Sequence, residues 1–309
     1  AQYANHDNIG IGTSTLSGAM TGSVDNVAIG KNAGAGITSG MENICIGSSS
    51  GTSLAGTNAC ILIGQSAGAS INHSDAAGSV MIGYQAGSNN TSGRHNVFIG
   101  LQAGLENSIG DSNISIGDKA GFGTLAGLQN NNNIAIGSNN PDGTLAAMGG
   151  QWITAASTNN IAIGTGSLSG AMNAVVGSVA IGTSALGALT TGIKNLAIGY
   201  NALQLNTEGD KNIAIGYEAM NAMVGNTGAS KLNVGDNNLA IGADAMGSVN
   251  AGTHDSARSD NNVAIGVNAL LGGTFGSSDK QLEGNIAIGA YALDGTGTNE
   301  QTGTIAIGH

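Results

Sequence analysis

The side chains that could do acid–base or nucleophilic chemistry are scattered along this chain. The histidines stand far apart, at His6, His73, His95, His254 and His309. No HExxH, paired-carboxylate or nucleophile-elbow motif brings titratable groups together. We therefore expect neither an enzyme activity nor a bound cofactor.

Two oxygen-rich segments, Asp236–Asn238 and His254–Asp255, resemble turns that hold Ca²⁺. Aspartate and asparagine are also ordinary turn residues, because their side chains hydrogen-bond the local backbone. The Gly-Gly-x-Gly-x-Asp nonapeptide of calcium-binding rolls is missing. We expect plain turns without a metal ion at both places.

Aromatic side chains could stack on sugars. Tyr84, Tyr200 and Tyr217 each follow an Ile-Gly pair, where a structural role in the turn is equally open, and Tyr291 lies close to another such pair. Trp152 stands outside this pattern. It is therefore the candidate receptor contact.

The charge balance excludes several classes of partner. Charged residues make up 9 % of the chain, and its net charge is −11. Nucleic acid and anionic membranes require clustered basic side chains, and no Lys/Arg run is present. No stretch approaches the roughly 20 apolar residues of a membrane-spanning helix. The first residues have neither Met nor a leader pattern, so we expect a mature or excised fragment.

An Ile-Gly pair recurs 16 times and organises the whole chain. The residue three before each glycine is Ile, Val or Leu, and Asn stands four before it in 12 of the 16 copies. The repeat glycines are Gly12, Gly30, Gly47, Gly64, Gly83, Gly100, Gly117, Gly137, Gly164, Gly182, Gly199, Gly216, Gly242, Gly266, Gly289 and Gly308.

The consensus Asn-Ile-Ala-Ile-Gly alternates at period two, which predicts a short strand. A strand of four residues is too short to stand alone, so each must be one rung of a ladder. We take two unaltered copies as the structural repeat residues: Asn133, Ile134, Ile136 and Gly137, and Asn212, Ile213, Ile215 and Gly216.

The remainder of each repeat predicts a turn that returns the chain to the next rung. A glycine precedes the Asn by two to four residues, as at Gly93, Gly110 and Gly209, and we expect it to adopt positive φ. One repeat is then one coil, which gives about 16 coils spaced by about 4.8 Å. The repeated Asn predicts a stacked amide ladder, or a polar lining of a trimer axis that holds an ion or water.

Both faces of each strand are expected to be buried. The residue between the paired aliphatics is Ala in ten copies and apolar or small in the others. Its volume is complementary to that of the residue four after the glycine: Met81 and Phe98 pair with Gly87 and Gly104. Two positions sharing one packed space would behave in this way.

The Asn-x-Ala-Ile-Gly-x-x-Ala repeats resemble the YadA-like head of trimeric autotransporter adhesins. The longer forms Asn195–Leu203 and Asn212–Met220 are more similar to bacteriophage tail fibres. The resemblance covers essentially the whole chain and implies a left-handed parallel β-roll assembled as a homotrimer. Adhesin repeats are shorter and steadier, and we expect no neck, stalk or anchor here, which puts the adhesin second.

Three segments follow from the repeat spacing. Residues 1–137 form a solenoid block with Ala-Gly repeats, residues 138–159 an insertion loop, and residues 160–309 a block with Ala-Leu/Met repeats and longer loops. Loops of variable length often form the binding surface of a solenoid.

The two cysteines occupy different repeat positions. Cys45 lies two before its glycine and Cys60 four before the next, which puts their Cα atoms about 8 Å apart, beyond disulfide range. We expect two buried free thiols.

The repeat pattern therefore predicts an all-β parallel β-solenoid fibre. The resemblance implies that the solenoid is left-handed, that the fibre is a homotrimer and that it lies outside the cell, on a virion tail fibre or a bacterial surface. Its partners would be its own copies and a surface receptor, such as a glycan, with neither nucleic acid nor membrane insertion. A bacterial adhesin head is the alternative. An ice-binding solenoid is more remote, because the strand positions hold Ile, Ala and Asn in place of Thr.

Overall fold

A computed structural model describes residues 5–121, 127–139, 146–149, 155–222, 235–248, 258–272, 281–295 and 300–308. Over these residues the chain is an all-β parallel solenoid with almost no helix, as the repeat predicts. Trp152 and half of the 138–159 insertion lie outside the described residues, as does most of each loop after Gly216, Gly242 and Gly266. The chain divides into two compact units, residues 1–158 and 159–309.

Unit 1 carries one ladder of three-residue strands. Each strand pairs in parallel with the next one along the chain. The strands are β1 Ile9–Ile11, β2 Val27–Ile29, β3 Ile44–Ile46, β4 Ile61–Ile63, β5 Val80–Ile82, β6 Val97–Ile99, β7 Ile114–Ile116 and β8 Ile134–Ile136. A 3₁₀ turn, Ser74–Ala76, precedes β5.

Unit 2 has a main ladder and a shorter one. Its strands are β9 Ile161–Ile163, β10 Val179–Ile181, β11 Leu196–Ile198, β12 Ile213–Ile215, β13 Leu239–Ile241, β14 Arg258–Asp260, β15 Val263–Ile265, β16 Gln281–Glu283, β17 Ile286–Ile288, β18 Gln301–Thr302 and β19 Ile305–Ile307. Strands β14, β16 and β18 form the short ladder, and the others form the main one.

The middle residue of each strand faces the inside of its coil. Ala28, Met81 and Phe98 are completely buried, as are Ala197 and Ala214. Because neighbouring strands pair in register, these residues stack into one inner column per unit. The aliphatic residues on either side therefore face outward.

The expected sharing of space across the coil is confirmed. A Cβ added to Gly68 would lie 2.7 Å from Leu62 Cδ2, and one added to Gly104 would overlap the Phe98 ring. In unit 2 the inner column is alanine, and Leu186 fills the corresponding space, fully buried. A large residue on one side thus requires a small one on the other.

The prediction that positive φ falls on the glycine ahead of the ladder asparagine is wrong at the three positions named for it. Gly93, Gly110 and Gly209 do not carry the positive φ; it falls on the residue just before the ladder asparagine, as at His95 (56°) and Ser112 (57°). Glycine is required at Gly93 for a different reason, because a Cβ there would collide with the carbonyl oxygen of Gly110 in the next coil.

The predicted amide ladder is present inside the coils. The Asn43 N–H and its Nδ2 both donate to Asn26 Oδ1 at 3.0 Å, and Nδ2 also donates to the Thr57 carbonyl at 2.8 Å. The side chain of Asn26 therefore replaces a backbone carbonyl as acceptor. This is why the strands begin one residue later than expected.

The representative repeats follow the same pattern. The Asn133 N–H donates to Asn113 Oδ1 at 3.0 Å, and that of Asn212 to Asn195 Oδ1 at 2.9 Å. All four asparagines are buried within a single chain. They are therefore not positioned to line an axis between chains.

Cys45 and Cys60 are free and buried, as expected from their repeat positions. Burial raises the pKa of the Cys45 thiol to about 12, and the nearby Cys60 adds to the shift. Burial also raises the pKa of Cys60. Both thiols behave as small apolar side chains of the core.

Candidate functional site

The outward side of each main ladder consists of aliphatic side chains alone. The first and third residues of these strands form two columns per unit, which we call the outer stripe. None of its residues is buried in the single chain. Its members in unit 1 are Ile9, Ile11, Val27, Ile29, Ile44, Ile46, Ile61, Ile63, Val80, Ile82, Val97, Ile99, Ile114, Ile116, Ile134 and Ile136. Those in unit 2 are Ile161, Ile163, Val179, Ile181, Leu196, Ile198, Ile213, Ile215, Leu239, Ile241, Val263, Ile265, Ile286, Ile288, Ile305 and Ile307.

The stripe is long and uninterrupted within each unit. With strands about 4.8 Å apart, eight rungs extend for about 34 Å, and the two columns are about 7 Å apart. No polar or charged side chain occupies a stripe position. A continuous apolar surface of this kind on a single chain indicates an interaction site.

A second outward column lies directly after the repeat glycines. It includes Tyr200 and Tyr217, whose rings stack with centroids 5.4 Å apart and an interplanar angle of 11°. Both tyrosines are about half exposed. A hydrogen bond to Glu218 raises the pKa of Tyr217. The two rings stack between adjacent coils, which is consistent with a structural role of these tyrosines in the turn.

A third column, in unit 2, is acidic. The Ile193 N–H donates to Asp210 Oδ1 at 2.8 Å, that of Asp210 to Asp236 Oδ1 at 2.7 Å, and that of Asp236 to Asp260 Oδ1 at 2.8 Å. Burial raises the pKa of Asp236, and the charges of Asp210 and Asp260 add to this. Sequence reasoning missed this column, although each aspartate stands two residues before a ladder asparagine, a spacing that could have identified it.

Unit 1 has a polar pocket on its loop side, with a volume of about 250 Å³. It is lined by His73, Asp75, Ser92, Arg94, Ile109, Asp111 and Gln129. Arg94 Nε donates to Asp111 Oδ2 at 3.0 Å. Donors, acceptors and one aliphatic side chain thus converge in a chain that has few charges elsewhere.

The structure places the representative repeat residues at three kinds of position. Ile134, Ile136, Ile213 and Ile215 belong to the outer stripe, Asn133 and Asn212 lie in the amide ladder, and Gly137 and Gly216 follow the strands. Of the histidines, His6, His73 and His95 are exposed, whereas His254 and His309 lie outside the described residues. The turn at Asp236 is described, but His254–Asp255 is not.

Within the described parts of the chain, no three His, Cys, Asp or Glu side chains group as metal ligands would. Those same parts contain no helix with the length and apolarity needed to cross a bilayer. The surface that the geometry singles out is therefore the outer stripe.

No family model matches the chain, and no curated protein or solved structure matches it significantly.

Proposed function

We propose that this chain is a non-enzymatic fibre segment that associates with other copies of itself along the outer stripe. The observation that carries the proposal is the stripe itself, which in each unit is an unbroken double column of Ile, Val and Leu on the outside of a single chain. Burying it against another apolar surface is favourable at about 25 cal/mol per Å².

A second copy of the chain is the partner that fits the stripe best. The stripe repeats with the rise of a parallel ladder, and an identical chain presents the same side chains at the same spacing. The stripe is uncharged, so two copies can meet there although each carries a net charge of −11. A membrane surface fits less well, because the chain has only 8 Lys and Arg residues and no cluster of them in its sequence.

The proposed assembly is a homotrimer of left-handed β-rolls, each with about 16 coils. The number three and the handedness rest on the resemblance of the Asn-Ile-Ala-Ile-Gly repeat to YadA-like heads. On the same basis, the segment belongs to a bacteriophage tail fibre or similar appendage that attaches to a host. The head of a bacterial trimeric adhesin is the alternative, since it would use the same stripe. Either is extracellular.

Light scattering with size exclusion tests the association. The wild-type particle is expected at three times the 30.0 kDa chain mass. Ile198→Glu places a charge in the stripe and should give a folded particle of lower mass. Leu205→Glu is the matched control, because Leu205 is exposed but lies outside the stripe. A monomeric wild-type chain, or equal effects of the two substitutions, would contradict the proposal.

Attachment is assigned to the irregular loops, because the nearly identical rungs offer little specificity. Trp152 remains the candidate contact. Trp152→Ala removes the indole and should leave the trimer assembled while weakening binding to host cells or to an isolated glycan. If the folded variant binds as well as the parent chain, Trp152 is not the contact.

A further inference from the structure

In the inner column of unit 1 the exchange of volumes fails at Ser115, as it also does at Ala28, which faces Gly34. Phe98 fills its coil, and Gly104 across from it leaves room for the ring. In the next coil both positions are small, because Ser115 faces Gly121. A cavity of about 10 Å³ lies there, bounded by Phe98 on one side and Ala135 on the other.

Polar groups converge on this cavity. Asn107, Asn113, Asn130 and Asn133 line it together with Ser115. Each of these side chains is more than nine-tenths buried. The cavity therefore lies in the polar part of the core, where an empty space is unfavourable.

One polar atom of these side chains lacks a partner. Asn130 Oδ1 accepts the Ser157 N–H at 2.9 Å, but Asn130 Nδ2 is buried and makes no hydrogen bond to the described residues. An unsatisfied buried amide of this kind destabilises the folded chain.

Other coils show how the cost is normally avoided. Asn107 Nδ2 donates to the Gly110 carbonyl at 2.9 Å, and Asn90 Nδ2 donates to that of Gly93 at 2.8 Å. Asn130 itself occupies the position of those glycines, three residues before a ladder asparagine. Its amide therefore points into the space that the small Ser115 leaves.

We propose that this cavity binds a single water molecule that accepts a hydrogen bond from Asn130 Nδ2 and bridges it to the Ser115 hydroxyl. The volume is that of one water, since a water requires about 10–15 Å³ of such space and two to four polar partners. The bound water completes the hydrogen bonding of the core at the rung where its packing changes from Phe98 to Ala135. This site is independent of the association along the outer stripe.

A high-resolution crystal structure tests the site directly. We expect one isolated density peak about 2.7–3.2 Å from Asn130 Nδ2. A vacant cavity, or an Asn130 side chain turned to a protein acceptor, would overturn the proposal.

A double-mutant cycle tests it in solution. Ser115 and Asn130 share no direct hydrogen bond among the described residues, so the water is the route by which we expect them to couple. Ser115→Ala and Asn130→Gly should each lower the Tm, and the double variant should lose clearly less than the two separate losses combined. Fully additive losses would overturn the bridge. Glycine is the residue of neighbouring coils at this position, so Asn130→Gly should fold; if it does not, the density peak alone decides.

Discussion

Ile181 and Ile198 occupy matching positions in adjacent parallel strands, and both side chains lie on the outside of the coil. Ala197, one residue earlier, is completely buried inside. This alternation separates the residues that hold a single coil together from those available to a neighbouring chain.

Ala197→Asp and Ile198→Asp should therefore differ in kind. The first buries a charge in the core, which costs several kcal/mol and should abolish the β signal in circular dichroism. The second places a charge on the outer stripe and should separate the chains while leaving the coils folded. Asp210→Ala removes the hydrogen bond that the Ile193 N–H donates to Asp210 Oδ1, and it is expected to have a much smaller effect than either substitution. Loss of fold by Ile198→Asp at all concentrations would show that the inner and outer assignments are wrong.

The exchange of volumes across the coil predicts a compensating pair. Phe98→Ala should destabilise unit 1 by about 3–5 kcal/mol, because it leaves a cavity beside Gly104. Adding Gly104→Leu recreates the arrangement of Ala197 and Leu203 in unit 2 and should recover part of the loss. Leucine is tolerated there at positive φ, since Leu203 has φ of 52°. Chemical denaturation measures both steps, and a double variant less stable than Phe98→Ala alone would contradict shared packing.

Removing one charge from the acidic column should raise the Tm by an amount that depends on pH. Because the folded pKa of Asp236 is raised, its contribution to stability is fully present below its unfolded pKa and is lost as the pH rises through the folded value. Asp236→Asn keeps an oxygen for the Asp210 N–H, as Asn131 does for Asp111. The variant should thus have a higher Tm than the parent at pH 7, and the difference should vanish near pH 3.

Asp294→Asn is the control for this experiment, because Asp294 is exposed and lies outside the column. An equal gain from Asp294→Asn would point to a general reduction of negative charge. A gain for Asp236→Asn that grows as the pH falls would contradict the sign of the shift.

The two cysteines should not react with thiol reagents in the native state. With a thiol pKa of about 12 and full burial, Cys45 should not react with a disulfide reagent at pH 8 in the native state. Cys60 is buried as well. Both should react after unfolding in guanidinium. Rapid labelling of the native protein, or a disulfide found by mass spectrometry, would be inconsistent with this core.

Much of this fold could be predicted from the sequence because the repeat is regular. The Ile-Gly spacing indicates the rungs, and the recurring Asn indicates the amide ladder. The sequence alone does not say which strand face is inside, since Ala197 and Ile198 are both apolar. The width of the coil decides which face is inside. The interior holds Ala197 with Leu203 opposite, and it does not have room for two columns of isoleucine side chains.

The turns were harder to predict for a local reason. Ser112 and Lys211 adopt positive φ although their residue types rarely do so. Asn132 and Asn237 occupy the same position, and asparagine is a residue that tolerates this conformation. These Asn-Asn pairs carried the signal, but the glycines nearby drew the assignment to the wrong position.

The most direct test of the account is whether the outer stripe is covered in solution. Ile198→Cys and Leu205→Cys place one reactive thiol inside the stripe and one outside it, against native cysteines that stay silent. In the assembled protein, the thiol of the Leu205→Cys variant should label quickly. The thiol of the Ile198→Cys variant should label slowly, and faster as dilution separates the chains. Equally fast labelling at both positions, at every concentration, would show that the stripe is open to water and would contradict association along it.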